Sequence, residues 1–268
     1  MNVRYQSLTT TLSFTTHVCA LHEQLPLTAK LPASYTERVH QRTETNFLAP
    51  IPVGTRLNCE EQNASFLVTT NLFLPYPLHA LECPLLKAET EIKQTHTSSY
   101  RLSKTGVSVA WITLSDKGAQ GVREDTSGPA IEDCLKEVLP ISYSQGFLLP
   151  DSAKLLKSRL LQLALHDQYD IICTTGGTGL SKRDITPQTT KQILDFELPG
   201  FAQAMMAKSL SLTPHALLSR SCCGVIGTTL VLNLPGSLKA VRENLSAILP
   251  ALKHTLAKLH NDPSDCGG

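Results

Sequence analysis

The sequence predicts an α/β protein in which a three-layer C-terminal domain with a mostly parallel sheet follows a smaller, mainly β domain. Two observations lead to this prediction. Fourteen of the 15 glycines lie at Gly106 or later and the first aspartate is Asp116, so the composition changes near residue 105. From there, apolar runs alternate with segments of helical periodicity, as expected of a parallel sheet with both faces covered. The predicted domains are residues 1–104, which end in a polar linker, and residues 105–262.

Composition narrows the class of protein. At 268 residues the chain is long enough for two domains with hydrophobic cores, and its net charge is +1. No window has the dense Lys and Arg clustering that nucleic-acid binding requires. The sequence has neither a signal-peptide core nor a run of roughly 20 apolar residues. We therefore expect a cytoplasmic protein that uses neither nucleic acid nor a membrane as a partner.

The elements follow from local patterns, taken in chain order. Residues 8–18 and 64–74 are short β-like runs in a proline-rich half without long amphipathic helices. After residue 105 the apolar runs predict strands at 107–114, 144–149, 169–174, 216–221 and 229–234. Helices fill the gaps between these strands. The last helix, residues 237–259, contains Pro250, which should kink or split it.

Helix starts are marked by capping residues and prolines. Pro129, after Ser127 and Gly128, opens one helix, and Asp151 is a plausible N-cap of the next. Thr186 is predicted to cap a third helix, with Pro187 in its first position.

The most informative segment is the glycine-rich loop Gly176-Gly177-Thr178-Gly179, which follows a buried strand. Three glycines in four positions allow φ > 0 and bring several N–H groups toward one anion. Asp184, just ahead of the next helix, is a hard oxygen ligand suited to Mg²⁺. The alternative is a purely structural turn, although most strand-to-helix loops are short and use one glycine.

Polar residues also follow the other predicted strands. Ser115 and Asp116 follow the first, Asp151 follows the second, and the segment 233–237 follows the last. In an open parallel sheet ligands bind beyond the carboxyl ends of the strands. One pocket would then hold two or three carboxylates beside glycine-rich backbone, which suits a Mg²⁺-nucleotide. Asp151 as a helix cap and Asp116 as a turn residue are the alternatives.

Several motifs, taken together and in order, resemble the molybdopterin adenylyltransferase family over residues 105–260. They are the segments 109–116, 127–129, 150–151, 176–179, 183–187, 199–201, 218–221 and 233–236. Each motif alone is weak, but their order and spacing are specific. Related domains of the molybdenum insertase type typically carry Gly-Gly-Val-Ser in the glycine loop, so Gly-Gly-Thr-Gly favours the adenylyl-transferring branch.

The resemblance implies a role in molybdenum cofactor biosynthesis. It implies a Mg²⁺-dependent reaction in which the terminal phosphate of molybdopterin attacks the α-phosphorus of ATP. The products are adenylylated molybdopterin and pyrophosphate. It also implies a homotrimer, with other cofactor-biosynthesis proteins as partners. The two essential acidic positions of the family match Asp151 and Asp184, which we assign to catalysis and to Mg²⁺.

The remaining site residues are predicted to contact the nucleotide or the pterin. These positions are Ser115, Asp116, Ser127, Gly128, Gly176, Gly177, Thr178, Gly179, Ser219, Ser221, Asn233, Pro235, Gly236 and Ser237.

Two further interpretations concern the N-terminal half and the activity of the C-terminal domain. Residues 52–57 are faintly similar to part of the molybdenum-cofactor sulfurase C-terminal (MOSC) domain, which suggests a degenerate relative or a docking module with Cys83 structural. For the C-terminal domain, the alternatives to catalysis are a non-catalytic molybdopterin carrier and a nucleotide pyrophosphatase-like enzyme.

Overall fold

The computed structural model describes residues 12–14, 50–59, 64–75, 80–89, 98–122 and 124–260. They fall into two compact units. One contains residues 55–103, and the other contains the chain from Lys104 onward together with Pro52–Gly54. None of the helices in these ranges combines the length and the apolar character needed to span a bilayer. The predicted boundary between residues 104 and 105 stays a prediction.

The first unit contains one antiparallel sheet. Its strands are β1 (Leu12–Phe14), β2 (Arg56–Cys59), β3 (Ala64–Pro75), β4 (Ala80–Ala88) and β5 (Ser98–Ser103), in the spatial order β1-β5-β2-β3-β4. Leu57, Phe66 and Val68 are buried in it. Most of the predicted run 8–18 and the side chain of Cys83 lie outside the described residues. The likeness to a MOSC domain therefore stays a prediction.

The second unit is a three-layer α/β fold, which confirms the predicted fold class. Its six-stranded sheet has the order β7-β6-β8-β11-β10-β9. The strands are β6 (Val107–Leu114), β7 (Ile141–Leu149), β8 (Ile171–Thr175), β9 (Phe196–Glu197), β10 (Cys223–Ile226) and β11 (Thr229–Leu234). The strands β7, β6, β8 and β11 are mutually parallel, whereas β10 and β9 are antiparallel additions.

Six α-helices are present in the described part of this unit. They are α1 (Asp116–Ala119), α2 (Ser127–Lys136), α3 (Ala153–Leu161), α4 (Thr186–Lys191), α5 (Pro199–Leu210) and α6 (Leu238–Leu259). A short π-helix, Gln162–His166, follows α3, and a 3-10 helix, Pro214–Leu218, follows α5. The helix α6 continues through Pro250 as one helix, so the predicted split is wrong.

The core follows from the alternation of side chains along the central strands. Val109, Ile171 and Leu232 face α2, α5 and α6 in one continuous apolar cluster. Their neighbours Ile112, Ile172 and Val231 are also fully buried. Because both faces of these strands exclude water, each strand reads as a continuous apolar run in the sequence.

The predicted strand at 216–221 is wrong. Pro214, which lacks an N–H and has a fixed φ, begins the 3-10 helix, and the Thr213 side chain accepts a hydrogen bond from the His215 N–H. The strand comes later, as β10, and a tight turn at Gly227, with φ of 60°, connects it to β11. The apolar residues 216–218 therefore belong to the 3-10 helix, and the sheet resumes at Cys223.

Candidate functional site

The carboxyl ends of the four parallel strands meet at one edge of the sheet. The register pairs Leu114 of β6 with Leu149 of β7, and Leu234 of β11 with Thr175 of β8. The segments that follow these strands therefore start side by side. The predicted site residues that follow strands β6, β7, β8 and β11 share this edge of the molecule.

The glycine-rich loop requires glycine at its first two positions. Gly176 has φ of 96°, and an added Cβ would lie 2.6 Å from the Leu114 carbonyl oxygen. Gly177 has φ of 64°, and its Cβ would lie 2.5 Å from Thr186 Oγ1. Both φ values disfavour residues with a side chain. The loop therefore follows a path that only glycine permits, directly after the central strand β8.

Thr186 closes this loop. Contrary to the prediction, it does not cap the helix. The helix α4 begins at Thr186 itself, after Ile185. The Thr186 hydroxyl donates to the Gly176 carbonyl at 2.8 Å, and its N–H donates to the Gly177 carbonyl at 3.1 Å. The prediction was wrong because the hydroxyl is used across the loop and is not available to the first turn of α4.

Two other aspartates at this edge, Asp116 and Asp184, act on Asp151. The Asp151 N–H donates to Asp116 Oδ1 at 3.0 Å, and Arg183 Nη1 lies 3.2 Å from Asp116 Oδ2. Partial burial raises the pKa of the Asp151 carboxyl, and the negative charges of Asp116 and Asp184 raise it further. The carboxylates of Asp116 and Asp184 are therefore both close enough to act on Asp151.

Asp151 is not the cap of α3. The N-cap is Ser152, whose hydroxyl accepts from the Leu155 N–H at 3.5 Å. The helix-cap alternative for Asp151 is therefore wrong. The backbone N–H of Asp151 instead donates to the Asp116 carboxylate.

A cavity of about 340 Å³ opens at the same edge of the sheet. Five of the predicted site residues line it, namely Ser115, Ser127, Gly176, Gly236 and Ser237. Eight others were not predicted, namely Thr113, Leu114, Gly118, Glu124, Asp125, Thr126, Leu148 and Thr175. Asp116, Asp151 and Asp184 are not among the lining residues. The site thus has two parts, a cavity and a group of aspartates.

Asp125 organises the entrance of α2, and sequence reasoning missed it. Its Oδ1 accepts from the N–H groups of Ser127 and Gly128 at 3.1 and 2.9 Å, and its Oδ2 accepts from the Thr113 hydroxyl at 2.6 Å. The sequence signal was an Asp two residues before Ser127-Gly128-Pro129, a position from which Asp commonly caps. Asp125 therefore joins the end of β6 to the start of α2.

The single tryptophan lies in a slot beside this helix entrance. An added Cβ on either Gly128 or Gly146 would overlap Trp111 Nε1. The two glycines thus leave space for the indole between α2 and β7. A Cβ on Gly128 would also overlap Asp125 Oδ2, so the indole is close to the carboxylate that caps the helix.

Several predicted contact residues support the site from within the protein. The Asn233 side chain is fully buried and donates to the hydroxyls of Thr174 and Thr190 at 2.9 and 3.1 Å. The Pro235 carbonyl accepts from the Thr175 hydroxyl at 2.7 Å. The Asn233 side chain is therefore enclosed by the core, and its predicted contact with a ligand stays a prediction.

The predicted serines are engaged in local hydrogen bonds. Ser115 and Ser237 are the N-caps of α1 and α6. The Ser127 hydroxyl donates to the Gly236 carbonyl at 3.0 Å, which joins the start of α2 to the loop before α6. Ser219 and Ser221 share a hydrogen bond of 3.0 Å, and neither lines the cavity.

The chemistry of the aspartate group suits Mg²⁺ brought by a substrate. Carboxylate oxygens are its preferred ligands, and a cation would relieve the repulsion that raises the pKa of Asp151. Among the residues that the structure describes, no group of three or more His, Cys, Asp or Glu is arranged to hold a metal ion. Since Mg²⁺ usually binds through one or two carboxylates together with substrate phosphates, the residues fit an ion that arrives with its nucleotide.

The fold and this sheet edge agree with a family of known proteins. The sequence profile of the family described as "Probable molybdopterin binding domain" matches residues 110–254. The match covers more than half of the chain, and the chain belongs to this family. The predicted likeness to molybdopterin adenylyltransferases is thereby confirmed for the C-terminal domain.

Individual relatives fall into two groups by length. The molybdopterin adenylyltransferase of Helicobacter pylori J99 is 38% identical over 150 residues, which are 55% of this chain and 85% of that protein. The gephyrin of Dictyostelium discoideum is 38% identical over 164 residues, which are 58% of this chain but only 23% of gephyrin. The chain thus spans most of the short bacterial relative and about a quarter of the longer one.

Solved structures give the same result for the fold. The molybdopterin biosynthesis enzyme MoaB of Thermus thermophilus aligns with a TM-score of 0.55 and 43% identity, over 59% of this chain and 99% of that structure. The described α/β unit therefore has the fold of this enzyme.

Proposed function

We propose that this chain transfers the adenylyl group of MgATP to molybdopterin, giving adenylyl-molybdopterin and pyrophosphate. The observation that carries the proposal is the placement of the aspartates beside the glycine-rich loop: the Asp151 N–H donates to Asp116 Oδ1 at 3.0 Å, and an added Cβ on Gly179 would lie 3.0 Å from Asp184 Oδ2. Burial and the negative charges of Asp116 and Asp184 raise the pKa of the Asp151 carboxyl, and an incoming Mg²⁺ on the triphosphate would offset these charges. The adenylyltransferase of Helicobacter pylori, which is 38% identical, supports the same activity.

In this reaction a terminal phosphate oxygen of molybdopterin forms a bond to the α-phosphorus of ATP. The bond from that phosphorus to the bridging oxygen of the β-phosphate breaks, and pyrophosphate leaves with the electron pair. A phosphate oxygen is already ionised, so the step needs no base. The protein must hold two anions in line, which is a task of positioning and charge neutralisation.

Residues at different places in the site would bind the Mg²⁺, the triphosphate and the pterin. Asp151 and Asp184 would hold the Mg²⁺ that arrives with ATP, and that ion would neutralise charge on the phosphates. The backbone of Gly177, Thr178 and Gly179 would receive the triphosphate. The cavity that Ser127, Gly236 and the other lining residues form would hold the pterin.

The test is turnover by purified protein with molybdopterin, ATP and Mg²⁺. Wild type should give adenylyl-molybdopterin and pyrophosphate in equal amounts, and Asp184→Asn should lose at least about 100-fold in rate because a formal charge at the metal is removed. Asn keeps an oxygen for the Ser181 N–H, which donates to Asp184 Oδ2 at 2.7 Å, so the loop should stay folded. Asp133→Asn is the matched control, since Asp133 is exposed on α2. Full turnover by Asp184→Asn would remove this residue from the mechanism.

A non-catalytic molybdopterin-binding protein is the second candidate. It is favoured by the cavity, whose lining contains none of the three aspartates, so that a pterin could bind there without them. Such a protein would bind molybdopterin but would release no pyrophosphate and show no Mg²⁺-dependent affinity for ATP. Release of AMP without pterin would instead indicate a pyrophosphatase.

The use of Mg²⁺, assembly as a homotrimer, partnership with other cofactor-biosynthesis proteins and a cytoplasmic location belong to the same proposal. They rest on the resemblance of the sequence and on the roles of Asp151 and Asp184.

A further inference from the structure

Arg220 holds the end of the glycine-rich loop and the segment that follows it, up to Asp184. Its Nε donates to the Gly179 carbonyl at 2.7 Å, and its Nη2 donates to the Asp184 carbonyl at 2.5 Å. Its Nη1 donates to Gln188 Oε1 at 2.9 Å, and its backbone N–H donates to the Thr178 carbonyl at 3.0 Å. One half-buried side chain therefore bridges two backbone positions that are five residues apart.

These contacts fix the direction of the loop amides. A trans peptide is planar, so a carbonyl that points toward Arg220 turns the next N–H to the opposite side. The N–H groups so directed belong to Gly179, Leu180 and Ile185. Within the described part of the chain, none of the three donates a hydrogen bond. The loop thus has three oriented donors on the side facing away from Arg220.

The charge of Arg220 adds to this arrangement. Its guanidinium forms no ion pair with any described carboxylate, because its partners are backbone and amide oxygens. A permanent positive charge on one side of a peptide group polarises it and strengthens the donor on the other side. The combination of free donors and uncompensated positive charge suits an anion with several oxygens, such as a triphosphate.

We infer that Arg220 is the positioning residue of the glycine-rich loop and holds it in the conformation that receives the phosphates of the nucleotide. The inference rests on the proposed adenylyl transfer. A lysine cannot replace Arg220, because a single ammonium cannot reach Gly179, Asp184 and Gln188 in the forked geometry of a guanidinium.

The test compares Arg220→Lys with Arg242→Lys, whose arginine is exposed on α6. Loss of two charge-assisted hydrogen bonds should raise the KM for MgATP at least about tenfold in Arg220→Lys. The KM for molybdopterin should stay unchanged. Trypsin should cut faster after the exposed Lys182 and Arg183 in this variant, while the melting temperature and the other cleavage sites stay as in wild type. Arg242→Lys should match wild type in all four measurements.

Two results would overturn the inference. One is an Arg220→Lys protein with the wild-type KM for MgATP and the wild-type cleavage of the loop. The other is faster cleavage along the whole chain with an unchanged KM, which would show a merely structural role. If Arg220→Lys does not fold, Gln188→Ala decides, since it removes the partner of Nη1 and should change the same two measurements in the same direction.

A failure of the proposed function would give a different result from a failure of the inference about Arg220. If wild type neither binds nor turns over MgATP, adenylyl transfer is wrong and Arg220 cannot position a nucleotide loop. The trypsin comparison would then still show whether Arg220 holds the loop.

Discussion

At the scale of single residues, Gly176 is a position where the backbone tolerates little change. Its φ is 96°, and a Cβ there would lie 2.6 Å from a backbone oxygen of the neighbouring strand. Backbone atoms in a central sheet cannot move aside as a flexible side chain can. The dense glycines that the sequence shows are therefore explained by sterics at Gly176 and Gly177, before any ligand is considered.

We expect Gly176→Ala to lower the free energy of unfolding by at least about 2 kcal/mol, because it adds both overlap and an unfavourable φ. Gly200→Ala is the matched control. Gly200 lies near the start of α5, and an added Cβ would meet nothing within 4 Å, so this change should raise stability by up to about 1 kcal/mol. Urea unfolding measures both. Equal stabilities of the two variants would contradict the steric argument.

Asp125, Thr186 and Asn233 show why residue roles were hard to predict. In the sequence, all three are polar residues next to strand ends or helix starts. Their partners, however, are Thr113, Gly176 and the pair of Thr174 and Thr190, which are distant in sequence. A hydroxyl or carboxylate near a helix start has several possible partners, and tertiary packing decides among them.

At the scale of elements, a buried ionic cluster ties the end of α6 to the strands β6 and β8. Lys104 Nζ lies 2.6 Å from Asp170 Oδ2, and the Ser108 N–H donates to the same oxygen at 2.6 Å. His260 Nε2 lies 3.3 Å from Asp170 Oδ1. Asp170 immediately precedes β8, so this cluster lies at the amino ends of the strands, opposite the candidate site.

We expect stability to fall as the pH falls below about 6.5, the ordinary pKa of histidine. Burial lowers the pKa of the His260 imidazole; the Asp170 carboxylate opposes this shift and Lys104 reinforces it. The unfolded chain then binds a proton that the folded chain does not, so this contribution is present above the ordinary pKa and is lost on acidification. Unfolding at several pH values should show this slope in wild type and in His254→Gln, whose histidine is exposed on the same helix. The same slope in His260→Gln would disprove the assignment.

The element boundaries that were predicted well share one property. The strands at 107–114 and 229–234 were predicted with the bounds that the structure has, because both lie in the middle of the sheet and read as uninterrupted apolar runs. The false strand at 216–221 has only three apolar residues, Ala216 to Leu218, and they follow Pro214. There, Pro214 and the Thr213 cap determined the local structure more than hydrophobicity did.

At the scale of the whole molecule, the α/β unit includes a segment that precedes it by about fifty residues. Pro52–Gly54 belongs to this unit, Val53 is fully buried, and its N–H donates to the Asp167 carbonyl at 2.9 Å. Gly54 has φ of 84°, and an added Cβ would overlap Ser142 Oγ. Composition alone could not predict this, because the shift near residue 105 marks where the main part of the unit begins.

We expect Val53→Ala to destabilise the α/β unit by about 2 kcal/mol, the approximate value of a buried valine side chain. Trp111 lies in β6, so its fluorescence follows the unfolding of this unit. Val122→Ala is the matched control, since Val122 is 73% exposed and should contribute little. If the two variants unfold at the same denaturant concentration, Val53 does not belong to the core of the unit.

The slot between Gly128 and Gly146 also makes the chain its own optical reporter. Only one indole is present in the whole sequence, and it adjoins the carboxylate that caps the helix beside the cavity. Any compound that enters and disturbs this corner alters the surroundings of a single chromophore, so a titration can be followed by emission without a label. The signal would come from one known place, and an affinity could be measured even for a variant that has lost all turnover.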